Sequence, residues 1–159
     1  MNLTIVDQLL AINREFYDRF GSEFSATRQR LQPGVKKILN SIKRDESVLD
    51  LGCGNGYFLR EVSRRGHKQT LLGLDFSLPL LRDAESQPEG FSARFMEIDI
   101  TKLSVISNQS LITNHWSLIT AFALLHHIPS HEIRLDILRT VQKLLKPNGK
   151  FILSNWQFL

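Results

Sequence analysis

Cysteine is nearly absent. Cys53 stands alone among 159 residues, which excludes an internal disulfide framework and any cysteine-based zinc cluster. No apolar run approaches the roughly 20 residues of a membrane span. The first residues, with Asn2, Asp7 and Arg14, lack the apolar stretch of a secretory leader. No internal repeat or low-complexity tract is visible. Charge is missing from one place: residues 103–131 contain no Asp, Glu, Lys or Arg. The first half of that stretch is polar (Ser104, Ser107, Asn108, Gln109, Ser110, Thr113, Asn114) and reads as a long surface connection rather than a core element. These absences lead to the expectation of a soluble cytoplasmic protein with no membrane partner and no metal.

What is present suits one domain. A chain of this length can bury a real core, and an apolar fraction of 42% is ordinary for a globular protein. The expected organisation is a single domain over residues 1–159, with N-terminal helices in 1–45 and a ligand-binding core in 46–159. A net charge of +4 is mildly basic; it permits an RNA partner without demanding one.

The chain alternates between two periodicities. Leu3, Val6, Leu9, Leu10, Asn13, Phe16, Tyr17 and Phe20 recur near helical spacing, and Gly21-Ser22 is expected to end that helix. Thr27 can cap a second helix, which Pro33-Gly34 is expected to interrupt before Val35, Ile38, Leu39 and Ile42 resume the pattern. Strands are expected at 47–51, 70–74, 92–98, 116–121 and 150–155. Helices are expected at 57–65, 77–85 and 130–145, with a turn at Pro88-Glu89-Gly90. Ser77 and Ser130 stand where helix caps belong. Alternating strands and helices imply βαβ units and a parallel, doubly wound sheet.

The stretch Val48-Leu49-Asp50-Leu51-Gly52-Cys53-Gly54-Asn55-Gly56-Tyr57-Phe58 organises the rest. It reads as strand, glycine-rich turn and helix start, an arrangement that can present bare backbone N–H groups to a ligand. The spacing is GxGxG, and Phe58 stands where a dinucleotide fingerprint needs its third glycine. A pyrophosphate, and with it an NAD-dependent oxidoreductase, therefore has a poor case. Asp75 follows Gly52 by 23 residues, at the end of the second strand, where a carboxylate can accept from two ribose hydroxyls.

The residues Leu49 to Gly56 resemble motif I of the class I S-adenosylmethionine-dependent methyltransferases. Leu72-Gly73-Leu74-Asp75-Phe76-Ser77 resembles that family's motif II, and Asp99-Ile100 its third motif. Leu118 through Pro129, with His126-His127, resembles the fourth. Leu144-Leu145-Lys146-Pro147-Asn148-Gly149 resembles the turn before strand five, with Asn148 replacing a glycine and still able to take φ > 0. The order and spacing span residues 48–153. The family usually has an aspartate early in strand four; Trp116-Ser117 stands here instead.

The resemblance implies a Rossmann-like fold with strand order 3-2-1-4-5, ending after strand five, and S-adenosylmethionine as cofactor with S-adenosylhomocysteine as product. It implies cofactor contacts from Asp50, Gly52, Cys53, Gly54, Gly56, Asp75, Phe76, Asp99, Ile100, Ala121 and Phe122. Cys53 itself is read as a small packed side chain rather than a nucleophile. His126 is the candidate general base, with a structural capping role as the alternative. Tyr17-Asp18-Arg19-Phe20, Phe24-Ser25-Ala26-Thr27-Arg28 and Trp156 are similar to the tRNA wobble-uridine carboxymethyl methyltransferases, which adds Tyr17 and Arg28 as candidate site residues.

The acceptor is expected to be a small molecule or a tRNA base. The alternative function is a non-catalytic cofactor-binding domain. The fifth strand, with Phe151, Leu153 and Trp156, is expected to leave an apolar edge that a second copy or a partner chain covers. Arg28, Arg30, Lys36, Lys37, Lys43 and Arg44 would suit a phosphate backbone.

Overall fold

A computed structural model describes residues 3–27, 30–86, 91–106 and 115–156. The chain order is α1 (Leu3–Thr27), α2 (Pro33–Ser41), β1 (Val48–Leu51), α3 (Tyr57–Ser63), β2 (Leu71–Asp75), α4 (Leu78–Glu85), β3 (Ala93–Glu97), α5 (Leu103–Ile106), β4 (Trp116–Phe122), α6 (His131–Leu144) and β5 (Leu145–Ser154). Short 3₁₀ turns follow β3 and β4, at Ile100–Lys102 and Leu125–His127. The five strands form one sheet in the order β3-β2-β1-β4-β5, every neighbouring pair parallel. That is the expected doubly wound order.

Burial explains the strands. All four residues of β1 and all five of β2 are buried, because helices cover both faces of a parallel sheet. Strand alternation then sorts the side chains. Leu49 and Leu51 point into a core with Trp116, Ile119, Ile137, Val141 and Leu144 under α6. Val48 joins Val35, Leu39, Phe58, Leu59 and Val62 under α2 and α3. Asp50, two residues after Val48, therefore shares the α2–α3 side of the sheet at its carboxyl end. Trp116 is fully buried, so the residue at the usual aspartate position is a core anchor.

Three boundaries differ from the sequence expectation. Helix α1 runs straight through Gly21-Ser22 to Thr27. Gly21 is buried against α4, where a Cβ would lie 3.2 Å from Pro79 Cβ and 3.3 Å from Ser77 Oγ; it is a close-approach glycine rather than a terminator. Pro33 opens α2 at its first turn instead of interrupting it, since a missing N–H costs nothing there. Strand β5 begins at Leu145, which pairs with Trp116; the ladder resumes only at Lys150 opposite Leu118. The residues between loop outward, with Asn148 at φ 65° as its turn position requires. The turn expected at Pro88-Glu89-Gly90 lies outside the described residues.

Among the described residues, Leu78, Val105, Leu135 and Leu138 are exposed, and apolar surface gathers in two further places. On α1, Ile5, Leu9, Ile12, Phe16 and Phe20 form an exposed line, and at the sheet's end Leu153 and Trp156 are exposed. Strand β5 is an edge strand among the described residues. No helix of the described residues is long and apolar enough to cross a membrane.

Candidate cofactor and active site

The carboxyl ends of β1, β2 and β4 open into a cavity of about 440 Å³ roofed by α1, within the range of small-molecule sites. It lies where the strand order reverses beside β1, the place where open α/β sheets bind ligands.

The glycine loop forms its floor. Gly52, Gly54 and Gly56 all take positive φ. A Cβ on Gly52 would meet Leu124 Cδ1 at 2.9 Å, whereas one on Gly54 would meet only Leu80 Cδ1, at 4.0 Å. Gly54 thus leaves space on the cavity side. The loop's N–H groups are not bare. Gly52 N and Cys53 N donate to Leu74 O at 2.7 and 3.0 Å, and Gly54 N donates to Asp75 Oδ2 at 2.8 Å. The donors that a phosphate would use are taken by the end of β2, which corrects the expectation of a loop with bare N–H groups. Gly56 does not line the cavity; a Cβ there would meet Phe95 Cζ at 2.6 Å, so its role is packing.

Three carboxylates ring the cavity. Asp75 is buried and accepts from Ser77 N at 2.9 Å through its other oxygen. Burial pushes its pKa upward against the lowering effect of these backbone bonds. Asp50 is only 3% exposed and accepts from Thr120 Oγ1 at 2.6 Å. Burial raises its pKa from 3.8 to about 7, with Thr120 opposing and the Asp75 charge adding. Asp99 accepts from Thr101 N and Oγ1 at 3.0 and 2.7 Å and pairs with Arg14 at 2.9 Å. Burial, with the Asp75 and Asp50 charges, also pushes the Cys53 thiol well up, which keeps it protonated and inert as expected of a packed side chain.

Helix α1 is fastened across the opening from one end to the other. Arg14 reaches Asp99 and lies 5.1 Å above the Phe76 ring. Asn13 Nδ2 donates to His127 O at 2.9 Å, and Tyr17 Oη lies 3.4 Å from His127 Nε2. Asn55 Nδ2 donates to Ser25 Oγ at 3.1 Å. The rings of Tyr17 and Phe76 meet edge to face at 5.9 Å. Opposite, Phe122, Ala123, Leu124, Ser154 and Trp156 complete the wall.

Of the residues singled out from sequence, Tyr17, Asp50, Gly52, Cys53, Gly54, Asp75, Phe76, Asp99, Ile100 and Phe122 come together around this cavity. Ala121 faces the α6 core instead. Arg28 lies outside the described residues. The histidines exchange places: His127 lines the cavity and His126 does not. His126 stacks between His127 and Trp156, with ring centroids 4.2 and 5.7 Å away. Burial, with His126 beside it, holds the His127 pKa below 6.5, so its imidazole is neutral at pH 7. Arg14 and Ala123 are site residues that the sequence does not single out, and Asn13, part of the helical pattern of α1, gains a site role only in the structure. Helical phase places Asn13 with Val6, Leu10 and Tyr17 on the inward side of α1, a legible signal. Ala123 at φ 53° has no sequence signature.

Residues 24–158 match the family model described as Methyltransferase domain. The chain belongs to the methyltransferase domain family. It is 30% identical over 142 residues to a candidate methyltransferase of Encephalitozoon cuniculi, covering 89% of this chain and 60% of that protein. It is 26% identical over 143 residues to the tRNA (carboxymethyluridine(34)-5-O)-methyltransferase of Macaca fascicularis, covering 89% of this chain and 19% of the relative. Among solved structures, an S-adenosylmethionine-dependent methyltransferase from Mesorhizobium loti superposes with a TM-score of 0.59 at 27% identity, over 77% of this chain and 52% of that one. The chain thus spans between about a fifth and three fifths of the length of the curated relatives named.

Proposed function

We propose that this methyltransferase domain binds S-adenosylmethionine and transfers its methyl group to a proton-bearing oxygen or nitrogen on a small molecule or an RNA base. One observation carries the reading. The same cavity joins a buried carboxylate beside a glycine loop with occupied N–H groups to a neutral histidine held by a tyrosine. The mainly acidic setting of Asp50, Asp75 and Asp99 fits a ligand bearing a sulfonium and an ammonium. It does not fit a pyrophosphate, for which the loop has no spare donors at Gly52, Cys53 or Gly54.

In this reading Asp75 would hold the ribose hydroxyls. Asp99 and Phe76, bracketed by Arg14, would hold the base. Asp50 and the Gly52–Gly54 loop would face the methionine portion. Once bound, the cofactor supplies an electrophilic methyl group that needs no enzyme nucleophile. The chain's own work is to align the acceptor, exclude water and take its proton. His127 would take that last task; its Nε2 lies toward Tyr17 Oη and its backbone carbonyl accepts from Asn13, which supports the reading. A relative named for tRNA methylation supports an RNA acceptor; the aromatic wall of Tyr17, Phe122 and Trp156 accommodates any flat acceptor. The edge of β5, with exposed Leu153 and Trp156, is read as a contact for a second copy or a partner chain. Sedimentation as a monomer at high concentration would remove that part.

Calorimetry with S-adenosylmethionine and S-adenosylhomocysteine tests the cofactor. Asp75→Ala should weaken both by roughly ten- to a hundredfold, about 1.5–3 kcal/mol. With an acceptor in hand, His127→Asn should lower kcat by about 10²-fold or more with cofactor affinity retained, while His126→Asn leaves kcat within a few-fold. The wild-type rate should fall only at a pH below that at which an ordinary histidine titrates, as His127 gains its proton. Cofactor binding without turnover on any acceptor would establish the binding-only alternative.

A further inference from the structure

The fold gathers basic side chains that are scattered in sequence. Residues 30–70 hold nine Lys and Arg against four Asp and Glu, a net charge of +5, where the whole chain nets +4. Everything outside this quarter of the chain therefore sums to slightly negative.

Three segments contribute. Helix α2 buries Val35 and Leu39 and turns Lys36, Lys37 and Asn40 outward, with Lys43 and Arg44 exposed just beyond its end. The end of α3 adds Arg64 and Arg65. The Arg65 guanidinium donates to Leu39 O at 3.1 Å and Asn40 Oδ1 at 2.9 Å, which ties the two helix ends together. The loop before β2 adds Lys68, whose N–H donates to Arg44 O at 2.9 Å. The local acids do little to neutralise the surface. Asp50 is buried, Glu46 Oε2 accepts from Lys43 N, Glu61 pairs with Arg64, and Asp45 is the one exposed acid, beside Arg44, so the nine cations stay in excess.

This ridge starts at the site. Arg30, Leu31, Gln32 and Val35 line the cavity, and α2 carries the ridge away from it over nine residues, roughly 13 Å. We propose that the α2–α3 ridge is a docking surface for the phosphate backbone of a nucleic acid whose reactive base enters the adjoining cavity. The proposal rests on the methyl-transfer reading and extends it to a polymeric acceptor.

The ridge carries no aromatic platform and no exposed large apolar side chain; among the described residues none occurs between Gly21 and Ser77. A surface of that kind grips phosphates independently of sequence. A membrane-binding face would need apolar anchors beside its cations.

The test compares wild type with a Lys36→Gln, Lys37→Gln, Lys43→Gln, Lys68→Gln variant and its Lys→Arg counterpart. The lysine ammoniums take part in none of the hydrogen bonds described above. Binding of a short RNA hairpin, and of a DNA duplex of equal length, is followed by anisotropy from about 50 to 200 mM salt. S-adenosylhomocysteine calorimetry runs on all three proteins.

Wild type and the arginine variant should bind RNA with a steep salt dependence. The glutamine variant should bind at least about tenfold more weakly, with the slope of log Kd against log salt reduced by about 3. S-adenosylhomocysteine affinity should agree within twofold across the three. Preference between the RNA and DNA probes then identifies the source of the phosphates. Glutamine-variant binding within twofold of wild type overturns the proposal. So does lysine-dependent binding to phosphatidylserine vesicles with none to RNA. If wild type binds S-adenosylhomocysteine but no nucleic acid, this proposal fails and the cofactor reading stands. If it binds nucleic acid but no S-adenosylhomocysteine, the cofactor reading fails.

Discussion

Replacing Asp50 by Asn should change how stability depends on pH, by an amount the structure sets. Asp50 is almost fully buried at the end of β1, and its folded pKa of about 7 stands above the ordinary 3.8. The folded chain therefore keeps this proton through a window in which the unfolded chain has lost it. Stability falls as pH rises across that window and levels off above about 7. A shift of about three units at about 1.4 kcal/mol each gives a loss of ~4 kcal/mol. With a urea m-value of about 2 kcal/mol/M, the midpoint should drop by about 2 M between pH 4 and pH 8.

Asp50→Asn keeps the shape and an acceptor for Thr120 Oγ1 but has no proton to lose. Urea titrations of both proteins at half-unit pH steps should show most of the decline in wild type and little in the variant. The residue left in the variant belongs to Asp75, whose pKa is also raised by burial. An equal decline in the two proteins would refute the reasoning, since Asp50 would then be ionised throughout. A second readout is independent of stability. A cationic ligand in the cavity favours the carboxylate, so binding near pH 7 should release a proton. Calorimetry in two buffers of different ionisation enthalpy would register it, and Asp50→Asn should abolish it.

Thr120→Val removes the one hydrogen bond that lowers the Asp50 pKa, so the stability decline should move to higher pH, measured in the same titrations. Gly73→Ala in the middle of β2 should destabilise by about 1–3 kcal/mol, because the added Cβ meets Cys53 Sγ and Phe95 Cδ1, each at 2.7 Å; thermal melts would check it. Trp116→Ala empties the largest fully buried side chain under α6 and should cost about 3–5 kcal/mol in urea unfolding.

Sequence carried the architecture further than the chemistry, and the reason is physical. The alternation of strands and helices follows from two periodicities and one glycine turn, local signals that burial enforces, whereas the strand order rests on the family resemblance: Val48–Leu51 is buried along its whole length at the sheet centre. Helix ends were less legible because glycine and proline each have two uses. Gly21 looks like a terminator, but its missing Cβ makes room for Pro79 of α4, 58 residues further along the chain; Pro33 looks like a breaker and is a first-turn residue. The histidine pair shows the sharper limit. Adjacent residues in a 3₁₀ turn point in different directions, and periodicity cannot tell which one meets the cavity. That choice is made by α1, from more than a hundred residues away, where Asn13 and Tyr17 hold His127 in place.

The same distance effect inverted the reading of the glycine loop. Its N–H groups were read as donors for a ligand, but the carbonyl of Leu74 and the carboxylate of Asp75 take them first. What the loop offers is closeness rather than hydrogen bonds: the positive φ values of Gly52 and Gly54 bring backbone without side chains to the cavity floor. In the proposed reading, polar recognition passes to Asp50, Asp75 and Asp99. A turn that spends its donors on its own sheet favours a cationic ligand over a phosphate, and that separates this chain from dinucleotide-binding folds more surely than the missing third glycine does.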